Sequence, residues 1–355
     1  MDYEIFKERD ISKKEAVELL KNPENFYDTL KLADDLRKNI CGDVVTYVNN
    51  ANIYYTNMCE GNCKFCAFPH EKGVIDKYYM TPSEIAEKAL WAKNNGATEV
   101  TLMGGVIREI DTYMQAEIIK KIIEKTGYID THAYSPYEIL IGAESAGLDI
   151  KEAVAVLKEA GLHTVPGAAA EILDDEVRQV ICPNKICVKD WVKVIKELHK
   201  QGIKTSSTIM YGHVEKPEHI VNHLFLIKEI QEETKGFTEM ILMSYLHKNT
   251  PLYASGIVSG GASGDYDLLV TALSRIILKD TIPNIQAPWV KLGIKLTQLS
   301  LHCGANDVGG TLMGDEVSEA AGADEVSMTK EELRNAILAV HKVPKERSTL
   351  YDILD

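Results

Sequence analysis

Apolar positions along this chain follow first a helical period and then an alternation of helical and strand-like stretches. Ala16, Val17, Leu19 and Leu20 follow Ser12-Lys13-Lys14-Glu15, where a serine and a glutamate three residues on form a capping box. A second helix is expected from Tyr27 to Asn39. The texture then changes. Val44-Val45-Thr46-Tyr47-Val48 and Ile53-Tyr54-Tyr55 are β-branched and aromatic, which predicts a first strand.

From there one unit recurs: helix, glycine, strand. Thr81-Pro82-Ser83-Glu84 is a capping box with proline at the first helical position, and its helix ends at Gly96 before Glu99-Val100-Thr101-Leu102-Met103. Further helices end near Gly127, Gly161, Gly202 and Gly236, each followed by a strand: Ile129–Tyr134, His163–Val165, Lys204–Met210 and Met240–Met243. Two later strands are fainter, at Asn284–Ala287 and ahead of Gly304. The period, about 30–40 residues, is that of a βα repeat. The alternation argues for a parallel sheet with helices outside. A strand count approaching eight favours a (β/α)8 TIM-type barrel over an open doubly wound sheet. The expected organisation is an N-terminal helical extension (1–42), the barrel (43–325) and a C-terminal helical extension (326–355).

Composition adds limits. The 355 residues are 45% hydrophobic and 26% charged, ordinary for a globular chain. No apolar run approaches the roughly 20 residues of a membrane helix, and Met1-Asp2-Tyr3-Glu4 lacks a signal-peptide pattern, so a cytoplasmic location away from membranes is expected. A net charge of −14 disfavours nucleic acid as a partner.

Three of seven cysteines fall within Cys59-Glu60-Gly61-Asn62-Cys63-Lys64-Phe65-Cys66, a C-x3-C-x2-C pattern directly after the first strand. In a cytoplasmic chain such a cluster points to metal. Three thiolates ligate three irons of a cubane and leave the fourth open to a small molecule. Structural zinc, with His70 or Glu60 as fourth ligand, is the alternative metal; a non-catalytic iron–sulfur or zinc protein is the alternative class. The remaining Cys41, Cys182, Cys187 and Cys303 read as small packing residues.

From about Asn49 to Ala323 the chain resembles the radical S-adenosylmethionine (SAM) group that includes CofH and the menaquinone enzymes aminofutalosine synthase and dehypoxanthine futalosine cyclase. The carriers are Cys63-Lys64-Phe65-Cys66-Ala67-Phe68, Pro166–Leu173, Thr208–Glu215, Gly236-Phe237-Thr238-Glu239, Trp289-Val290-Lys291-Leu292-Gly293 and Gly304–Met313. The Trp-Val-Lys-Leu-Gly and Gly-Gly-Thr-Leu-Met portions look most like CofH. The resemblance implies a radical SAM barrel holding a [4Fe–4S] cluster on Cys59, Cys63 and Cys66, with SAM on the open iron. It also implies hydrogen abstraction from L-tyrosine and transfer of its 4-hydroxybenzyl group to 5-amino-6-(D-ribitylamino)uracil, in deazaflavin biosynthesis. The implied partners are a companion radical SAM synthase subunit and an electron donor. The futalosine-pathway reaction is the runner-up. The sequence departs from the group's habit at Pro69, Val106, Pro288 and Gly314, positions that the resemblance places where a second substrate could sit.

Within this frame Phe65, Gly104, Gly105, Glu171 and Tyr211 are the expected cofactor contacts, with Glu171 on the SAM ribose; a helix N-terminal acid is the plainer reading of Glu171. His132, Tyr134 and His247, at strand ends, are the expected catalytic or proton-accepting groups, with a merely structural role as alternative. His213, Glu215, Asn306 and Asp307 are the expected substrate contacts; against this stand a loop-ordering role for His213 and an Asx-type turn at Asn306 and Asp307.

Overall fold

Ten parallel strands lie side by side in the computed structural model, which describes residues 5–69 and 76–355. Met1–Glu4 and His70 lie outside the described residues. In chain order the strands are β1 (Val44–Val48), β2 (Asn50–Tyr54), β3 (Glu99–Met103), β4 (Asp130–Ala133), β5 (Thr164–Val165), β6 (Lys204–Tyr211), β7 (Phe237–Ser244), β8 (Ile285–Gln286), β9 (Asp307–Gly310) and β10 (Val343–Glu346). Their spatial order is β10-β1-β9-β8-β7-β6-β5-β4-β3-β2.

The first and last members of the β1–β9–…–β2 run are consecutive in sequence, separated only by Asn49, so the sheet closes on itself. The expected single first strand is therefore bent. β1 pairs with β9, β2 pairs with β3, and Met313 N–H donates to Asn50 C=O while Thr311 N–H donates to Val48 C=O across the seam. Counting β1–β2 as one strand gives the eight of a (β/α)8 barrel.

The local signals act as their chemistry dictates. Ser12 and Thr81 cap their helices reciprocally with Glu15 and Glu84. The helix Phe26–Cys41 packs on Gly264–Leu278, and Lys13–Lys21 packs on Pro217–Thr234, which fastens the N-terminal extension to the barrel's outer layer. Gly236 does not end its helix; Lys235 takes the left-handed turn (φ 51°). A Cβ on Gly236 would lie 2.0 Å from the His199 ring, so packing requires the glycine.

Two expectations fail at the late end. The last barrel strand follows Gly304 instead of preceding it, because residues 294–300 form a helix. The C-terminal segment is not only helical. After the helix Lys330–Leu338, β10 inserts beside β1 on the edge that β2 gives to β3. It fills the wall at the N-terminal ends of the strands. Residues 347–351 then cross beneath the barrel and touch β9, β5 and β7 in turn: Arg347 Nε donates to Asp307 (2.6 Å), Thr349 and Thr164 hydroxyls meet (3.1 Å), and Tyr351 OH donates to Glu239 (2.5 Å). The barrel thus has a mouth, at the C-terminal strand ends, and a floor closed by its own C-terminal segment. A small second core of Val45, Tyr47, Trp289, Val308, Leu333 and Ile337 anchors that segment.

Candidate functional site

The loop after β2 carries the three cysteines and is clamped from three directions. Glu60 N–H donates to Val106 C=O, Lys64 N–H donates to Ile181 C=O, and Leu252 N–H donates to Lys64 C=O. Cys59, Cys63 and Cys66 line one cavity of about 200 Å3 with Gly61, Phe65, Gly104, Gly105 and Glu171. Burial raises the Cys63 thiol well above its usual range and Cys66 to about 11.

Gly105 is fixed by close approach: its N–H donates to Thr56 C=O (2.7 Å), and a Cβ there would meet Met58 C=O at 2.0 Å. Behind Gly104 stands Glu138, which no sequence signal beyond its capping box marked. It caps its own helix through Ser135, accepts from Tyr55 OH (2.5 Å) and accepts from Gly104 N–H (3.2 Å). One carboxylate therefore sets the angle of the glycine pair over the cysteine cavity. Glu171 lies in the loop after β5, with φ 47°, and pairs with Lys185 Nζ at 2.6 Å. Lys185 also sits 5.3 Å from the centre of the Phe65 ring. Burial lowers its pKa, but Glu171 and the neighbouring cysteines outweigh that and hold the ammonium charged.

The cysteine cavity adjoins a second space of about 230 Å3 inside the barrel; Tyr54, Met103, Ala168 and Val317 line both. Its wall follows the two-residue period of inward-facing strand positions: Asn50, Asn52 and Tyr54; Glu99, Thr101 and Met103; Glu239, Ile241 and Met243. His132 is in this wall, with Nδ1 2.8 Å from Thr164 Oγ1 and Nε2 3.5 Å from Ser206 Oγ. Burial lowers its pKa and keeps the ring neutral. At the floor Glu239 accepts from Gln286 (2.8 Å) and Tyr351 and lies 3.5 Å from Arg347, which also grips Asp307. Burial, opposed by Arg347 and reinforced by Asp307, raises Glu239 to about 7. Lys291 enters from the mouth with Ser318 Oγ at 2.8 Å as its hydrogen-bond partner; burial depresses its pKa.

The radical SAM superfamily model matches residues 53–227, and the CofH/MqnC C-terminal region matches residues 234–355. The chain belongs to the radical SAM superfamily. Two full-length relatives, from Methanococcus vannielii and Methanocaldococcus jannaschii, are 55% and 54% identical, with all of both chains covered. Each is named 5-amino-6-(D-ribitylamino)uracil–L-tyrosine 4-hydroxyphenyl transferase. Among solved structures the fold is similar to methylornithine synthase PylB (TM-score 0.74, 18% identity, 96% of each chain). It is also similar to the hydrogenase maturase HydG from Carboxydothermus hydrogenoformans (TM-score 0.75, 15% identity, 98% of this chain and 79% of that one). At those identities the structures speak for the radical SAM barrel alone. Membership implies a [4Fe–4S] cluster and SAM.

Several expected site residues face elsewhere in this radical SAM chain. Tyr134 is turned away from the cavity: it is fully buried and its hydroxyl donates to Gln115 C=O (2.8 Å) on an outer helix. Tyr211 likewise points outward, against Asp267 and Tyr266. His213 and Glu215 serve their own loop. The Glu215 carboxylate accepts from Gly212 and His213 N–H and lies 3.0 Å from His213 Nδ1, while His213 Nε2 is 3.1 Å from Met210 C=O. Burial raises Glu215, yet these partners win and hold it near 2. His247 lines a separate rim cavity with Lys248 and Trp289, its ring edge-on to Tyr253.

Asn306 and Asp307 are not on a mouth loop. They begin β9 at the floor, where Asn306 joins Arg275 and the Ile285 N–H, and Asp307 joins Thr46, Gly309 N–H and Arg347. Of the four departures, Pro69 and Val106 line the cysteine cavity and Pro288 lines the barrel cavity. Gly314, at φ 81°, precedes the cavity-lining Asp315.

The polar positions Asn50, Asn52, Glu99, Glu239, Gln286, Lys291 and Arg347 were missed, although all but the last two sit in strands. A signal existed: polar residues at alternate positions of otherwise apolar strands mark an interior that is not filled by packing.

Proposed function

We propose that this chain transfers the 4-hydroxybenzyl group of L-tyrosine to 5-amino-6-(D-ribitylamino)uracil, the substrates in its relatives' names. The observation that carries the reading is a shared wall: Tyr54, Met103, Ala168 and Val317 border both the three-thiol cavity and the barrel cavity that carries Asn52, Glu99 and Glu239. The donor set fits a cluster. Three thiols face one cavity from one clamped loop, and burial opposes the ionisation of Cys63 and Cys66 unless iron supplies the countercharge. Cys59, Cys63 and Cys66 hold the [4Fe–4S] cluster in this reading. With SAM bound, the reduced cluster supplies the 5′-deoxyadenosyl radical.

The protein's part is to bind and orient. Gly104 and Gly105 present backbone to SAM, Phe65 supplies an apolar wall, and Glu171, fixed by Lys185, accepts from the ribose. Lys291 holds a substrate carboxylate at the mouth. His132, neutral and cavity-facing, takes the phenol proton. The closed floor and looped mouth exclude water and stray hydrogen donors. An electron donor and a companion enzyme that closes the deazaflavin ring complete the scheme. The cluster chemistry suits the reducing cytoplasm. No helix among the described residues is long and apolar enough to cross a membrane.

The test is anaerobic. The cluster is reconstituted and reduced, SAM is added with L-tyrosine and the ribitylaminouracil singly and together, and 5′-deoxyadenosine and adducts are quantified by mass spectrometry. Tyrosine-dependent deoxyadenosine and a hydroxybenzyl–uracil adduct are expected. Deoxyadenosine formation indifferent to both compounds removes the substrate assignment.

A further inference from the structure

The two carboxylates deepest in the barrel wall differ in what they already hold. Glu239 is surrounded by Gln286, Tyr351 and Arg347. Glu99, at the floor end of β3, is buried and lines the same cavity, but its side chain accepts one hydrogen bond, from Thr101 Oγ1 at 3.1 Å. No cation lies within ion-pair distance of it among the described residues. An ionised carboxylate accepts about four hydrogen bonds, so most of the capacity of Glu99 is unspent.

The amide N–H groups of Asn50, level with Glu99 across β2 and β3, and of Asn52, one turn of the pleat higher, make only long contacts. Asn50 Nδ2 reaches Thr101 Oγ1 at 3.3 Å and Asn52 Oδ1 at 3.5 Å, and Asn52 Nδ2 reaches Tyr54 OH at 3.3 Å. These lengths lie beyond the usual range for such bonds. Glu99, Thr101, Asn50 and Asn52 thus form one continuous face of β2 and β3; Asn50 Oδ1 is taken by Leu312 N–H (3.0 Å), while Glu99 and the Asn52 amide keep spare capacity.

We infer that this face binds a polyol chain: the ribityl tail of the aminouracil lies along β2 and β3 with vicinal hydroxyls donating to Glu99. The inference rests on the reaction proposed above and adds an orientation to it. The uracil carbon that receives the hydroxybenzyl group must approach the cysteine end of the cavity, so the unreactive tail is directed to the floor. Two residues along a strand span about 6.6 Å, a length over which successive hydroxyls of an extended polyol meet Asn52, Thr101 and Glu99 in turn. A carboxylate suits paired hydroxyls and repels phosphate or carboxylate tails, so the subsite selects a neutral polyol.

The test crosses a residue truncation with a substrate truncation. Glu99→Gln keeps shape and removes charge; Asn52→Ala, at a less buried position, serves as the second variant. Each is assayed with 5-amino-6-(D-ribitylamino)uracil and with 5-amino-6-methylaminouracil, which lacks the tail, L-tyrosine being saturating. For Glu99→Gln the KM for the ribityl compound should rise about tenfold to a hundredfold, and for Asn52→Ala severalfold, while variant and wild type agree within about twofold on the methylamino compound. Equal losses on both compounds, or none on either, overturn the subsite and leave the reaction standing. Wild-type enzyme that makes no adduct from L-tyrosine and the ribityl compound overturns the reaction, and the subsite with it.

Discussion

The mouth and the floor of this barrel use similar residues to opposite ends. At the floor Arg347, Asp307, Glu239, Gln286 and Tyr351 satisfy one another at short range, and the chain's last strand locks them in place. At the mouth three thiols, two glycines and the Glu171–Lys185 pair border open space. Buried polar groups that are mutually saturated hold a structure together; buried polar groups left with capacity wait for a ligand. The same distinction separates Glu239 from Glu99, on opposite walls of one cavity.

The largest expected effect breaks the mouth. Cys63→Ala should abolish the brown cluster absorbance and SAM cleavage together, with little change in thermal unfolding of the apo chain. Retained cleavage would remove the cluster assignment. The floor should fail differently. Arg347→Ala leaves Asp307 and Glu239 buried without their cation and should cost on the order of 3–5 kcal/mol in urea unfolding. Stability within about 1 kcal/mol of wild type would show the floor network to be ornamental.

The smallest effect sharpens the contrast through pH. Glu215, at the mouth rim, has its folded pKa near 2, below the usual 4.5. Its contribution is present above pH 4.5 and lost as pH falls toward 2, on the order of 3 kcal/mol at most. Glu239 runs the other way: its folded pKa, near 7, is raised, so its stability contribution falls as pH rises from 4.5 to 7. Glu215→Gln should therefore flatten the acid limb of stability against pH, and Glu239→Gln the neutral limb. Superimposable profiles for the two variants would end the distinction.

The barrel was legible because each βα unit announces itself: a capped helix, a glycine and a short apolar strand. The cysteine loop was legible because three ligands in eight residues need no tertiary information. Asn306 and Asp307 were misplaced because the helix over 294–300 and the strand after Gly304 carry weak local signals, so floor and mouth exchanged ends. Tyr134 and Tyr211 sit at strand ends as expected, yet the choice between facing inward and outward depends on backbone turns, φ 61° at Tyr134, that no periodicity encodes. Arg347 was missed for a different reason. Its partners Asp307 and Glu239 stand 40 and 108 positions away, and nothing near residue 347 hints at them.

The floor strand also sets an order of events on the ribosome. The cysteine loop and β3 are made before Asp307, whereas Val343–Glu346 and Arg347 are made after it. A domain generally folds as a unit once its parts have been made. The nascent barrel therefore stays open at its base, with Asp307 and Glu239 lacking their cation, until Arg347 has been made. A chain stalled before residue 343 would carry every cysteine ligand and still lack a sealed chamber. Chamber closure thus waits on the segment made after β9.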